Sequence, residues 1–101
     1  MADTGGSAET IEHDAARGRF RLSIGDAEAV VLDYVGGPGV WDIVHTYADP
    51  AFRGTGASSR LVQHVFDEAR SQGLHIVPTC PYIPVWVSRH PEAAALVRTG
   101  R

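Results

Sequence analysis

From Arg19 to Ile24 the chain alternates apolar and polar residues, with Phe20, Leu22 and Ile24 on one side. A period of two belongs to a strand with one buried face. Residues 10–14 read as a weaker strand before it, and residues 15–18 as the turn between them. Gly25-Asp26 is a hairpin turn. Residues 28–35 form a third strand, apolar on both faces around its centre. Gly36-Gly37-Pro38-Gly39 reads as a four-residue turn. Val40–Ala48 is a fourth strand, closed by Asp49-Pro50. Four strands joined by tight turns make an antiparallel meander.

After the meander the period lengthens. Ala57, Leu61, Val62, Val65, Phe66 and Ala69 recur at helical spacing and predict a helix over Ala57–Gln72. Ser58 or Ser59 suits its N-terminus, Arg70 its last turn, and Gly73 its C-terminal cap. Residues 74–77 are a short buried strand, which Pro78 ends because proline cannot donate to a ladder. A second helix is expected over residues 81–89, stopped by Pro91, with a final helical turn over 92–97. The strand–helix–strand crossover makes the fourth and fifth strands parallel neighbours. The expectation is one α+β domain over residues 10–97, behind a frayed tail at residues 1–9.

Composition narrows the function classes. With 44 % apolar residues, 101 residues can bury one core. The net charge is −3 and no basic stripe is available, which argues against nucleic acid. No apolar run approaches the roughly 18 residues that cross a bilayer. The first nine residues lack the basic and apolar regions of a secretory leader. A cytoplasmic protein is therefore expected. The single cysteine, Cys80, excludes an intrachain disulfide and a zinc cluster built on several cysteines. The five histidines show no i, i+4 pair, so no metal is expected.

Chemistry concentrates between the fourth strand and the long helix. Arg53-Gly54-Thr55-Gly56-Ala57-Ser58 joins a strand to a helix N-terminus. Glycines let backbone N–H groups approach an anion, and the helix dipole adds about half a positive charge there. Arg53 adds a full one. The segment is a phosphate or pyrophosphate candidate, or else an ordinary glycine turn capping a helix. It is not a nucleotide-hydrolase loop, because the Gly-Lys-Ser/Thr ending is missing and the chain holds no lysine.

The element order, with Arg53, Gly56 and Ser58 at the positions of Gln/Arg-x-x-Gly-x-Gly/Ala, resembles the GNAT superfamily of acetyl-CoA-dependent N-acetyltransferases. Within it the chain is similar to the short single-domain family typified by N-acetyltransferase domain-containing protein 1. The supporting segments are His45-Thr46, Pro78-x-Cys80-Pro81-Tyr82 and Arg89-His90-Pro91-Glu92. Three departures stand out. Ser58 replaces the usual glycine or alanine, and Ala93 follows His-Pro-Glu where the short family commonly has tyrosine. The helices that in longer members wall the acceptor site are absent. The resemblance implies a truncated GNAT-like fold: meander, helix, parallel fifth strand, C-terminal helix. It implies transfer of an acetyl group from coenzyme A to an amine. Arg53, Gly54, Thr55, Gly56, Ala57 and Ser58 would hold the pyrophosphate, and the backbone of Thr46, Tyr47 and Ala48 the pantetheine arm.

Side chains for proton transfer are fewer. Cys80 follows the fifth strand near the second helix, where a thiol pKa can fall. It suits a nucleophile or an acid, and equally a buried packing residue. Tyr82, in the first turn of that helix, suits the general acid that GNAT enzymes often place there, or a rim aromatic. His45 is a candidate base, read as sharing a strand face with Trp41, Ile43 and Tyr47; a structural histidine is the competing reading. His90 suits a cap on the second helix, and Trp86 its apolar stripe. His13, His64 and His75 read as surface or turn residues. Two other functions stay open: a CoA or acyl-CoA binding module without turnover, and a thiol acyl hydrolase using Cys80 with a histidine. A small sheet without its flanking helices also leaves room for a homodimer.

Overall fold

The computed structural model describes residues 8–100. Most of the expected tail, residues 1–7, lies outside the described residues. Five strands form one sheet in sequence order: β1 (Glu9–Asp14), β2 (Arg19–Ile24), β3 (Ala27–Gly37), β4 (Val40–Ala48) and β5 (His75–Val77). β1 to β4 are an antiparallel meander, and β4 and β5 pair in parallel. The crossover between them is α1 (Ala57–Gln72). After β5 come α2 (Tyr82–Ser88) and a 3-10 helix over Pro91–Leu96. The chain then returns to the free side of β5, where Ile76 pairs with Val97 and Arg98 N–H donates to the Ile76 carbonyl at 2.9 Å.

The meander and its periodicity are as the pattern predicts. Phe20 and Leu22 of β2, Val30 and Leu32 of β3, and Ile43 of β4 are all buried. They meet Leu61, Val62, Val65, Phe66 and Ala69 of α1 in one core. α1 stops at Gly73, whose φ of +71° lets its N–H reach the Ala69 and Arg70 carbonyls.

Three local expectations are corrected. Gly36 and Gly37 belong to β3, paired with Trp41 and Val40, so the turn shrinks to Pro38-Gly39. β1 begins one residue early, because Glu9 pairs with Ile24 and its carboxylate holds Arg60 of α1 at 2.8 Å. The N-cap of α1 is Gly56 with no side-chain cap, so neither Ser58 nor Ser59 fills that place; the Thr55 hydroxyl accepts from Ala57 N–H at 3.4 Å instead. His13 is exposed, as expected, and His64 half-buried, but both contact the aromatic cluster. His13 stacks on Phe20 at 4.0 Å and is hydrogen-bonded to the Tyr34 hydroxyl, and His64 meets the edge of Phe20 at 6.0 Å.

One irregularity positions the site. In the β3–β4 ladder Asp33 pairs with His45 but Tyr34 pairs with Ile43, so Val44 is an extra residue in β4. A bulge reverses the inward–outward alternation beyond it. Leu32 faces the core and pairs with Thr46, so Thr46 turns toward the core side with Ile43. His45 turns to the opposite face with Asp33. The expected common face of Trp41, Ile43, His45 and Tyr47 is therefore split at Val44, with His45 and Tyr47 together on the other side.

Candidate active site

The β4–β5 pairing is short. It runs from Val40–His75 to Asp42–Val77, and Cys80 N–H then donates to the Ile43 carbonyl at 2.7 Å. Beyond Ile43 no strand lies on that side of β4, so the edge from Val44 to Ala48 is open among the described residues. Pro78 enforces the separation by ending β5. Thr79 fastens the departing chain through a hydrogen bond from its hydroxyl to the buried Asp42 carboxylate.

Cys80 therefore sits where the two strands part. It is buried, and its thiol donates to the Thr46 hydroxyl at 3.7 Å. The Cys–histidine pair that a thiol hydrolase needs is not found among the described residues.

The glycine loop follows β4 through a 3-10 turn, Pro50–Phe52, capped by the Asp49 side chain. Gly54 and Gly56 both have φ of +83°, a conformation that favours glycine. A Cβ on Gly54 would meet nothing within 4 Å, whereas one on Gly56 would lie 3.1 Å from Arg60 Nη1. The loop walls a pocket of about 250 Å³ lined by Phe52, Arg53, Gly54, Gly56, Ala57, Ser58, Ser59 and Tyr82. Of the predicted phosphate group, Arg53, Gly54, Gly56, Ala57 and Ser58 line it. Thr55 does not; it braces the loop, donating its hydroxyl to the Phe52 carbonyl at 2.6 Å. Arg53 Nε donates to the Ala48 carbonyl at 3.3 Å, which ties the loop to the end of β4 and leaves both terminal nitrogens unpaired among the described residues. The N–H groups of Ser58 and Ser59 have no acceptor among the described residues, and the first turn carries no acidic residue. Donors, positive charge and open space thus coincide, and they fit a phosphate group.

Tyr82 closes the pocket from α2. Partial burial raises its phenol above the ordinary tyrosine value, an effect that Arg89 opposes. Tyr47 and Ala48 lie on the open edge of β4, away from the pocket lining.

His45 stands apart, on the face opposite α1. Its Nδ1 lies 3.7 Å from Asp33 Oδ2, and its side chain is 61 % exposed. Asp33 is itself held by Arg19, with Nε donating to Oδ1 at 2.7 Å. His90 donates from Nδ1 to the Trp86 carbonyl at 2.8 Å, the helix-capping role expected of it. Trp86 is buried against Phe66.

Sequence reasoning overlooked Phe52, Asp33 and the side chain of Ser59 in the pocket. Phe52 could have been found from its place between the Asp49-Pro50 turn and Arg53. Asp33 had no signal, because it reaches His45 only through the bulged register.

A family model described as GCN5-related N-acetyl-transferase matches residues 19–96. Protein NATD1 from Bos taurus is 30 % identical over 91 residues, covering 87 % of this chain and 80 % of the relative. The Homo sapiens protein of that name is also 30 % identical over 91 residues, with the same shares covered. The fold of a GCN5-like protein from Staphylococcus aureus is similar, with a TM-score of 0.67 at 15 % identity, covering 97 % of this chain and 94 % of that one. The ribosomal-protein-S18-alanine N-acetyltransferase from Escherichia coli gives 0.61 at 14 % identity, over 71 % of this chain and 50 % of the enzyme. With the match spanning β2 to the last 3-10 helix and the parted β4–β5 edge in place, the chain belongs to the GCN5-related N-acetyltransferase family.

Proposed function

We propose that the protein is an acetyl-CoA-dependent N-acetyltransferase acting on an amine. The carrying observation is the coincidence of two features at the end of β4: an open strand edge, and a pocket whose free donors suit a pyrophosphate. Acetyl-CoA supplies the activated acyl group when bound. Arg53, Gly54, Gly56, Ala57 and Ser58 hold its phosphates, with Thr55 bracing the loop. The backbone of Thr46, Tyr47 and Ala48 receives the amide-bearing arm as an added strand would.

The remaining roles concern protons. Cys80, at the parting of the strands, gives a proton to the leaving sulfur, and Tyr82, two residues on in the first turn of α2, is the second donor. The acceptor amine enters from the face opposite α1. There His45 takes its proton at Nε2, with Nδ1 turned to Asp33. The exposure of that face, without the acceptor-site helices of longer relatives, favours an acceptor that is large or held by few contacts.

The test mixes pure protein with acetyl-CoA and a panel of polyamines, amino acids and peptides, and follows free thiol. Release that requires an amine supports the assignment. Release without amine points to hydrolysis. Binding without release makes the protein a CoA-binding module.

A further inference from the structure

The helical serines do not behave alike. Ser71 donates its hydroxyl to the Glu68 carbonyl at 2.9 Å, and Ser88 to the Val85 carbonyl at 2.6 Å. Both spend their protons on their own helices. Ser59, in the first turn of α1, makes no such bond. It accepts one instead, from Trp86 Nε1 at 2.9 Å.

The direction of that bond is not open to choice. An indole N–H can only donate, so Ser59 Oγ must accept. The Ser59 proton is then left to point elsewhere. The carbonyl four residues back, Thr55 O, takes Arg60 Nη1 at 3.0 Å. Ser59 lines the pocket, between the glycine loop and Tyr82. Trp86 cannot easily turn away, because it is 3 % exposed and packs between Phe66 at 5.0 Å and His90, stacked at 4.0 Å.

We infer that Ser59 donates its hydroxyl to the phosphate held in this pocket and that Trp86 is the positioning residue that aims it. This rests on reading the pocket as a phosphate site. The consequence is a coupling. A Ser59 proton drawn onto a phosphate oxygen polarises the oxygen that accepts from Trp86, and so strengthens the bond tying α2 to α1. Occupancy of the loop is thereby felt on the helix that carries Tyr82.

The chain has two tryptophans, so nitrogen-edited NMR shows two indole signals. Trp86→Phe identifies one of them. Trp41 serves as the control, since it lies among Phe20 and Tyr34 and does not line the pocket. Coenzyme A is titrated into wild type, Ser59→Ala, Ser59→Thr and Arg53→Ala, with calorimetry alongside. In wild type the Trp86 Nε1–H signal moves downfield with the midpoint of the Gly54 and Gly56 amides. In Ser59→Ala that movement disappears and affinity falls roughly tenfold, the weight of one hydrogen bond to a charged acceptor. Ser59→Thr, which keeps a hydroxyl, restores both. If Ser59→Ala binds as wild type does while Arg53→Ala loosens binding, the pocket reading stands and the role of Ser59 falls. If no loop amide moves in wild type with millimolar coenzyme A, both fall.

Discussion

At the residue scale, backbone conformation and burial set the sharpest constraints. Gly18 has φ of +67°, and a Cβ there would come within 2.4 Å of the Tyr34 carbonyl oxygen. Both the conformation and the clash oppose a side chain, and Tyr34 N–H already bonds the Gly18 carbonyl at 2.8 Å. Gly18→Ala should lower stability by about 2 kcal/mol or more, read from the denaturant midpoint; an unchanged midpoint would refute the close approach. Cys80→Ala should lower kcat by about a hundredfold, the low end for a lost general acid, with little change in KM. Intact mass of wild type mixed with acetyl-CoA should show no acetyl adduct, since Cys80 is assigned as acid; a stable adduct lost in Cys80→Ala would make it a nucleophile instead.

Two phenols tie stability to pH. Burial raises Tyr34 above the usual tyrosine value, helped by the Asp14 charge, and burial likewise raises Tyr82. The unfolded phenols ionise near about pH 10. Above that the unfolded chain has lost protons that the folded chain keeps, so stability falls as pH rises. Below it the contribution is constant. Urea midpoints measured from pH 8 to 11 should drop beyond pH 10, and Tyr34→Phe should flatten part of the drop. Identical slopes in wild type and variant would remove Tyr34 from the account.

At the element scale α1 serves two ends. Its apolar stripe closes the core over β2 to β5, and its first turn forms the pocket floor. Leu61 is fully buried just past that turn. Leu61→Ala should cost about 2–5 kcal/mol through lost burial and a cavity. Thermal melts and loop amide exchange should worsen together, because the loop hangs from the helix this residue anchors. A core loss that left the loop undisturbed would separate the two functions of α1. By residue type Gly56 belongs to the anion loop, and a serine two residues later looks the better helix cap. The left-handed turn at Gly56 leaves Ser58 and Ser59 past the cap position, inside the helix.

At the scale of the whole molecule, the sheet and its one crossover place the strand edge, the loop and α2 together at the end of β4. No described helix is long and apolar enough to cross a membrane. A ligand that binds only this folded arrangement must raise its melting temperature. Coenzyme A at a hundred times its dissociation constant should add about 2.7 kcal/mol, several degrees for a domain of this length. Arg53→Ala should shrink that shift without lowering the unliganded melting temperature much, since Arg53 is exposed and makes one bond to Ala48. An equal shift in both proteins would show that Arg53 does not hold the phosphates.

The amino-acid sequence by itself determined the elements, their order and the loop. These depend on local period, turn chemistry and glycine placement, and each is written within a few residues. The long helix from Ala57 to Gln72, the meander and the Arg53–Ser58 segment all follow from such local rules. Only the tertiary structure decided how the end of β4 faces and which distant side chains meet. One extra residue, Val44, flips every later position of β4, sending Thr46 toward Cys80 and His45 toward Asp33. Trp86 meets Ser59 across 27 positions through the packing of α2 against α1. A bulge and a helix packing angle are set by the balance of distant contacts, and no short window of sequence contains that balance.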